Sequence, residues 1–227
     1  MSFLTTNKAS KFLERLSMRS SLQRITMSLF VELLLRLPRF AFVSLFNLRQ
    51  IFFRTNTRIV AKSGHFELSD KQLSITGWKS ARKRQTVSSF LRGGLKGRIE
   101  TLSEDYFLSD IPLEPGDVVV DCGANTGDFW LAVSRKSIGL EYLAFEPSPE
   151  EYSLLIENLP LGRAENKALW ESNSTVEFFV SPEGADSSVI QPSSYETKIN
   201  LEGVRLSDYI GREVKCLKLE AEGAEIE

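Results

Sequence analysis

The β-branched run Asp117-Val118-Val119-Val120 leads straight into Asp121-Cys122-Gly123-Ala124-Asn125-Thr126-Gly127, and this in turn leads into the apolar stretch Phe129 to Val133. A short β-branched run of this kind reads as a buried parallel strand. The stretch after it reads as the start of a helix. Strand, glycine turn and helix in that order form the ligand-binding corner of a doubly wound α/β sheet, where ligands sit outside the carboxyl ends of the strands. Gly123 and Gly127 lack Cβ, so the backbone can turn sharply there and come close to a ligand.

The turn is a poor dinucleotide fingerprint. G-x-G-x-x-G counted from Gly123 requires glycine at Asn125 and Asp128. A pyrophosphate would also meet the Asp128 carboxylate at a helix start that favours anions. The spacing Asp121-x-Gly123-x-Asn125-x-Gly127 instead resembles the first motif of class I methyltransferases, D-x-G-x-G-x-G. Asparagine replaces the middle glycine, and asparagine tolerates left-handed backbone better than most residues. The resemblance implies S-adenosylmethionine as ligand, which carries no phosphate. The plain alternative is an ordinary glycine-rich βα turn.

Charge divides the chain. Residues 1–100 hold 19 Lys and Arg against 5 Asp and Glu, whereas residues 101–227 hold 9 against 25. The halves are different physical objects, able to attract each other or to present the first to an anionic partner. Cys122 and Cys216 are the two cysteines of the 227-residue sequence. They make no disulfide framework and are expected as free buried thiols. Without CxxC, HExxH or clustered histidine, no metal site is expected.

Residues 1–55 are basic and serine-rich. Leu22, Ile25, Leu29, Leu33 and Leu37 recur at helical spacing, and Pro38 should end or kink the helix before a second apolar run from Phe40 to Leu48. Neither run is long enough to span a bilayer, and no cleavage site for a secretory signal follows. Three readings stand: a helical hairpin packed on the main domain, an in-plane helix at an anionic membrane surface, and an organelle transit peptide. Short strands are predicted over Arg58–Ala61, His65–Leu68 and Gln72–Thr76. His65, the single histidine, reads as structural. The basic run from Lys79 to Arg98 holds one aromatic residue, Phe90, so it reads as a solvated helix face broken at Gly93-Gly94; nucleic acid is not expected as a partner.

From Asp110 the pattern becomes β/α alternation. Glu141 to Glu146 reads as a second strand ending in an acid, 25 residues after Asp121. That is near the spacing at which an acidic side chain grips ribose hydroxyls, a role suited to a carboxylate because it accepts two hydrogen bonds. Pro147-Ser148-Pro149 should then open a helix through Asn158.

The segment from Gly116 onward resembles FkbM-type methyltransferases. The matching pieces are Asp121 to Gly127, Phe145 to Pro149, Asn166 to Leu169, Asp186 to Val189, Arg205 to Asp208 and Lys218 to Glu225, the last resembling K-[IL]-D-x-E-G-x-E. Arg92 to Arg98 and Tyr106-Phe107-Leu108 look like the lead-in of some members. The resemblance implies methyl transfer from S-adenosylmethionine to a hydroxyl of a sugar, glycan or similar secondary metabolite. Asp121, Gly123, Asn125, Gly127 and Glu146 would hold the cofactor, Ala168 would lie by the adenine, and Asp186 near the cofactor edge. Glu220 or Glu222 would take the hydroxyl proton and Lys218 would position the acceptor. Where the family commonly has Asp, this chain has Glu220, and the extra methylene moves the carboxylate at a place where about 1 Å matters. The plain alternative pairs Lys218 with Glu222 across the strand end.

The expected architecture is α/β: a Rossmann-like class I methyltransferase sheet over residues 113–227, truncated after strand four, preceded by a strand/helix lead-in (58–112) and a basic amphipathic helical leader (1–57). Val214, Cys216, Leu217 and Leu219 read as a strand meant for burial, so an open edge invites self-association. The expected location is cytoplasmic, peripheral to a membrane if the leader binds one. Two other functions share the same corner: an adenosyl-ligand-binding, catalytically incomplete fragment, and an NAD-type oxidoreductase.

Overall fold

The computed structural model describes residues 21–62, 64–79, 82–159, 162–181 and 187–220. The chain divides into two compact units. The first comprises residues 1–74 and 79–98, the second residues 75–78 and 99–227.

In the first unit, helix α1 (Ser21–Arg36) stops before Pro38, and Arg36 lies in its last turn, where a cation suits the negative helix end. Pro38 is the extended N-cap of α2 (Arg39–Phe52), so the expected break is a proline-started second helix. The stripe that recurs at helical spacing on α1 is not its buried face where side chains are described. Leu29 and Leu33 are exposed, whereas Val31 and Leu34 are buried. Helical spacing places Leu29 and Leu33 together but cannot say which of two apolar faces turns inward. Strands β1 (Arg58–Lys62) and β2 (His65–Ser69) form an antiparallel hairpin in which Lys62 faces His65, with Gly64 at a φ of +91°. Ile59, Phe66 and Leu68 are its buried side chains. Helix α3 (Lys83–Phe90) ends before Gly93-Gly94, as the glycines predict, and α4 (Gly94–Asp105) begins there. Strand β3 (Ser74–Lys79) starts two residues after the predicted Gln72.

The second unit is built on a parallel sheet of β4 (Val118–Cys122), β5 (Glu141–Phe145), β6 (Arg163–Glu165) and β10 (Cys216–Leu219) in the order β10-β4-β5-β6. Four of the five residues of β4 and of β5 are buried, which explains their unbroken apolar sequence. One face carries Val119, Tyr142, Ala144 and Cys216 against α5 (Asp128–Val133), α6 (Pro149–Asn158) and Leu102 of α4. The other carries Val120, Cys122, Leu143 and Phe145 against Val204 and Tyr209. On β10 only alternate residues are buried: Cys216 and Lys218 are inside, whereas Leu217 and Leu219 are exposed, contrary to the expectation of burial on both faces.

A second sheet follows, with β7 (Ala168–Leu169) parallel to β9 (Thr197–Val204) and β8 (Ser174–Val180) antiparallel to β9 through seven facing pairs. The sequence pattern does not predict these strands. No helix among the described residues is long and apolar enough to cross a membrane.

Candidate active site

After Cys122 the backbone visits left-handed space at alternate residues: φ is +72° at Gly123, +51° at Asn125 and +84° at Gly127. The asparagine therefore adopts the conformation that a glycine at the middle position would supply. Gly123 N–H and Ala124 N–H both donate to Phe145 O, at 3.0 and 2.9 Å, tying the turn to the end of β5. A Cβ on Gly123 would lie 2.0 Å from Glu220 O, so glycine at this position lets the exit of β10 pass. Asn158 Nδ2 donates to Thr126 O at 2.7 Å and to Thr76 O at 2.7 Å, anchoring the turn from α6. The Thr126 hydroxyl is buried and has no hydrogen-bond partner among the described residues.

Glu146 follows β5 and is buried. Its Oε2 accepts from Asn125 N–H at 2.7 Å and its Oε1 from Ser148 N–H at 2.8 Å. An acid 21 residues away in sequence is thus bonded directly into the glycine turn. Burial pushes its pKa up to about 7, against the pull of the two N–H groups and of the Lys218 charge. Each oxygen keeps a further lone pair, because a carboxylate offers about four acceptor sites. Asn166 Nδ2 donates to Glu146 O and Pro147 O at 2.8 and 3.0 Å and holds the loop closed from the far side.

A chain of charges runs beneath the turn. Fully buried Asp121 accepts from Lys218 Nζ at 2.8 Å and from Tyr142 Oη at 2.5 Å. The register of β10 on β4 sets Lys218 directly beside Asp121. The same ammonium donates to Gly123 O at 2.9 Å and Cys122 O at 3.3 Å, and lies 3.5 Å from Glu220 Oε2. Glu220 in turn accepts from the phenol of Tyr106, whose ring packs edge-on against Phe129 at 5.0 Å. Burial acts to lower the Lys218 pKa, but Asp121, Glu220 and Asp128 outweigh it and hold it above its ordinary value. Burial, then Glu220, raises the Tyr106 pKa; burial, then Asp121, raises that of Tyr142. Both phenols therefore remain donors. Burial and the Asp121 charge push the Cys122 thiol up to about 12, which makes it an inert core residue. Both cysteines are free and buried, as expected from the sequence.

The fold thus brings Asp121, Gly123, Asn125, Gly127, Glu146, Lys218 and Glu220 to one carboxyl edge. Ala168 is buried at the start of β7, opposite Gly203. Asp186 and Glu222 lie outside the described residues. Lys218 is committed to Asp121 and the carbonyls of the turn, so it braces the loop. Tyr106 and Tyr142 are not among the sequence candidates, because only the register of β10 and the position of the α4 exit reveal them. The Tyr106-Phe107-Leu108 lead-in is the one available signal. The assembly places the carboxylates of Asp121, Asp128, Glu146 and Glu220 around one ammonium. A net negative site of this kind opposes phosphate and suits a cationic ligand.

Residues 121–227 match the Methyltransferase FkbM domain family. Over 175 residues the chain is 25% identical to Methyltransferase 1 of Beauveria bassiana (strain ARSEF 2860), covering 62% of this chain and 70% of that protein. It is 42% identical over 53 residues to the 31-O-demethyl-FK506 methyltransferase FkbM of Streptomyces tacrolimicus, 23% of this chain and 20% of that one. The solved structure of Methyltransferase FkbM from Methylobacillus flagellatus KT matches with 18% identity and a TM-score of 0.41, over 64% of this chain and 38% of that chain. The chain thus spans well under half the length of the Streptomyces and Methylobacillus proteins.

Proposed function

We propose, from the match of residues 121–227 to the FkbM methyltransferase domain family, that the protein binds S-adenosylmethionine at the carboxyl edge of β4, β5 and β10 and methylates a hydroxyl of a sugar, glycan or similar small molecule. The observation that carries this reading is the excess of carboxylate over ammonium around the glycine turn. A sulfonium and an amine gain from that field, whereas a dinucleotide pyrophosphate loses by it. The residues fit the cofactor chemically. Glu146 has acceptor capacity left for ribose hydroxyls. The turn of Gly123, Asn125 and Gly127 offers backbone close by, and the Thr126 hydroxyl is a buried polar group still to be satisfied. Ala168 is assigned to the adenine side and Asp186 to the cofactor edge.

When bound, the cofactor supplies an electrophilic methyl group on sulfur. The chain itself must align an acceptor hydroxyl and take its proton. Glu220 is the described carboxylate suited to be that base, because it stands at the end of β10, half exposed, and its carboxylate is held by Tyr106. Glu222 is the second candidate base. Lys218 acts through the turn and does not touch the acceptor in this reading. The two free thiols suit a reducing compartment.

The test is transfer of labelled methyl from S-adenosylmethionine into a glycan or small-alcohol extract by the full chain. Label in an alkali-stable product, reduced in Glu220→Gln, supports the reading. Binding of S-adenosylmethionine without transfer to any hydroxyl acceptor would reduce the protein to an adenosyl-ligand-binding module.

A further inference from the structure

Helix α2 is apolar on two opposite faces, and only one of them is used. Phe42, Phe46 and Gln50, spaced four apart, form the inner face and are buried. That face is held in place by several contacts. Phe42 packs on Phe66 at 5.1 Å and on Phe46 at 5.9 Å. Asn47 Nδ2 donates to Ile59 O at 2.9 Å, and Asn47 Oδ1 accepts from Ile59 N–H at 2.8 Å. Gln50 Nε2 donates to Phe90 O and Leu91 O at 3.2 and 3.1 Å. The helix is therefore not free to roll.

Its outer face carries Phe40 (76% exposed), Leu48 (61%), Ile51 (73%) and Phe52 (78%). At helical spacing these four project within one arc, diametrically opposite Phe42, Phe46 and Gln50. Phe53 continues the patch just past the helix end. Large apolar side chains are normally exposed one at a time; a contiguous stripe marks a contact surface. The charge around the stripe identifies the partner. Between Glu32 and Glu67 the sequence has no acidic residue, and it carries the exposed Arg36, Arg39, Arg54 and Arg58; Arg49 turns inward to Leu91 O, and Lys62 pairs with Glu67. A stripe of aromatic and aliphatic side chains in a segment that carries basic and no acidic residues complements anionic lipid headgroups above acyl chains. The helix is 14 residues long, too short to cross a bilayer and suited to lying in its plane.

We infer that the outer face of α2 docks on the surface of an anionic bilayer, with Phe40, Leu48, Ile51 and Phe52 inserted at the headgroup boundary and the flanking arginines on the lipid phosphates. This surface is independent of the methyl-transfer site: it belongs to the other unit of the chain, and it places that activity near a membrane whatever its acceptor.

The test is co-sedimentation of the full chain with extruded vesicles of phosphatidylcholine alone and of phosphatidylcholine mixed with phosphatidylserine. Binding is expected to the mixed vesicles, to be weak on the neutral ones, and to fall with added salt. Phe40→Ser/Phe52→Ser should lower partitioning at least about tenfold. Arg36→Gln and Arg39→Gln should each lower it by roughly fivefold. All four positions are exposed, so circular dichroism and melting should be unchanged. Absence of binding to mixed vesicles overturns the inference, as does equal, salt-insensitive binding to both kinds. A dimer in solution that the Phe40→Ser/Phe52→Ser variant dissociates also overturns it, assigning the face to a second copy of the chain.

Discussion

Replacing Lys218 by methionine isolates the interaction on which the glycine turn rests. The substitution keeps the aliphatic stem and removes the ammonium. It leaves Asp121, fully buried, with Tyr142 as its remaining side-chain donor, and it removes the ammonium's bonds to Gly123 O and Cys122 O, of which Cys122 O keeps the Glu220 N–H. Removing one partner of a buried ion pair costs about 3–5 kcal/mol. The double variant Lys218→Met/Asp121→Asn carries no stranded charge and should recover most of the loss. The assay is urea unfolding followed by tryptophan fluorescence, and all three tryptophans, Trp78, Trp130 and Trp170, belong to the unit that holds the site. Trp130 packs edge-on against Tyr142 at 4.9 Å and reports the network directly. A single-variant cost below about 1 kcal/mol, or a double variant as unstable as the single, would refute the reasoning.

Glu146 gives a pH signature in the unmodified protein. Its folded pKa lies above its ordinary value of 4.5, at about 7, so the stability it contributes is present below about pH 4.5 and lost as pH rises through 7, by about 3 kcal/mol in all. Glu146→Gln should flatten that slope in unfolding free energies measured between pH 5 and 8, and an unchanged slope would place the titration elsewhere. Gly123→Ala sets a Cβ 2.0 Å from a backbone oxygen, whereas Gly127→Ala meets a flexible Leu155 methyl at 2.9 Å. Both carry a left-handed penalty of about 1–2 kcal/mol, but only Gly123→Ala should add a further ~1–3 kcal/mol of overlap, so equal melting temperatures would count against the close passage of β10. Tyr106→Phe frees one oxygen of a half-exposed carboxylate and should cost under about 1 kcal/mol of stability, with its main effect on turnover; an unaltered pH–rate profile would show that Tyr106 does not position Glu220.

Most of the carboxyl edge is legible in the sequence because its determinants are local. Val118 to Cys122 announces a doubly buried strand, the alternation of Gly123, Asn125 and Gly127 announces a left-handed turn, and Glu146 falls one strand later. Asn125 has a positive φ, and its N–H donates to Glu146. What escapes depends on register. Nothing local says that Lys218 faces Asp121, or that Tyr142 and Tyr106 cap the two carboxylates; those contacts span 21 to 114 residues of sequence. The β8–β9 hairpin escapes for another reason. Its strands are largely exposed, and Lys198, Asn200, Glu202 and Gly203 leave β9 few apolar residues to mark it. Pro38 marks the break between α1 and α2, but each helix carries apolar residues on more than one face, so periodicity could not choose between them.

The central claim is that the carboxyl edge of β4, β5 and β10 binds a sulfonium cofactor. Isothermal titration of the full chain with S-adenosylmethionine, its demethylated product and NAD tests it most directly. S-adenosylmethionine should bind, NAD should not, and Glu146→Ala should weaken S-adenosylmethionine by about 1.5–3 kcal/mol, roughly 10- to 150-fold. Binding of NAD in preference to S-adenosylmethionine, or an affinity for S-adenosylmethionine untouched by Glu146→Ala, would contradict the account.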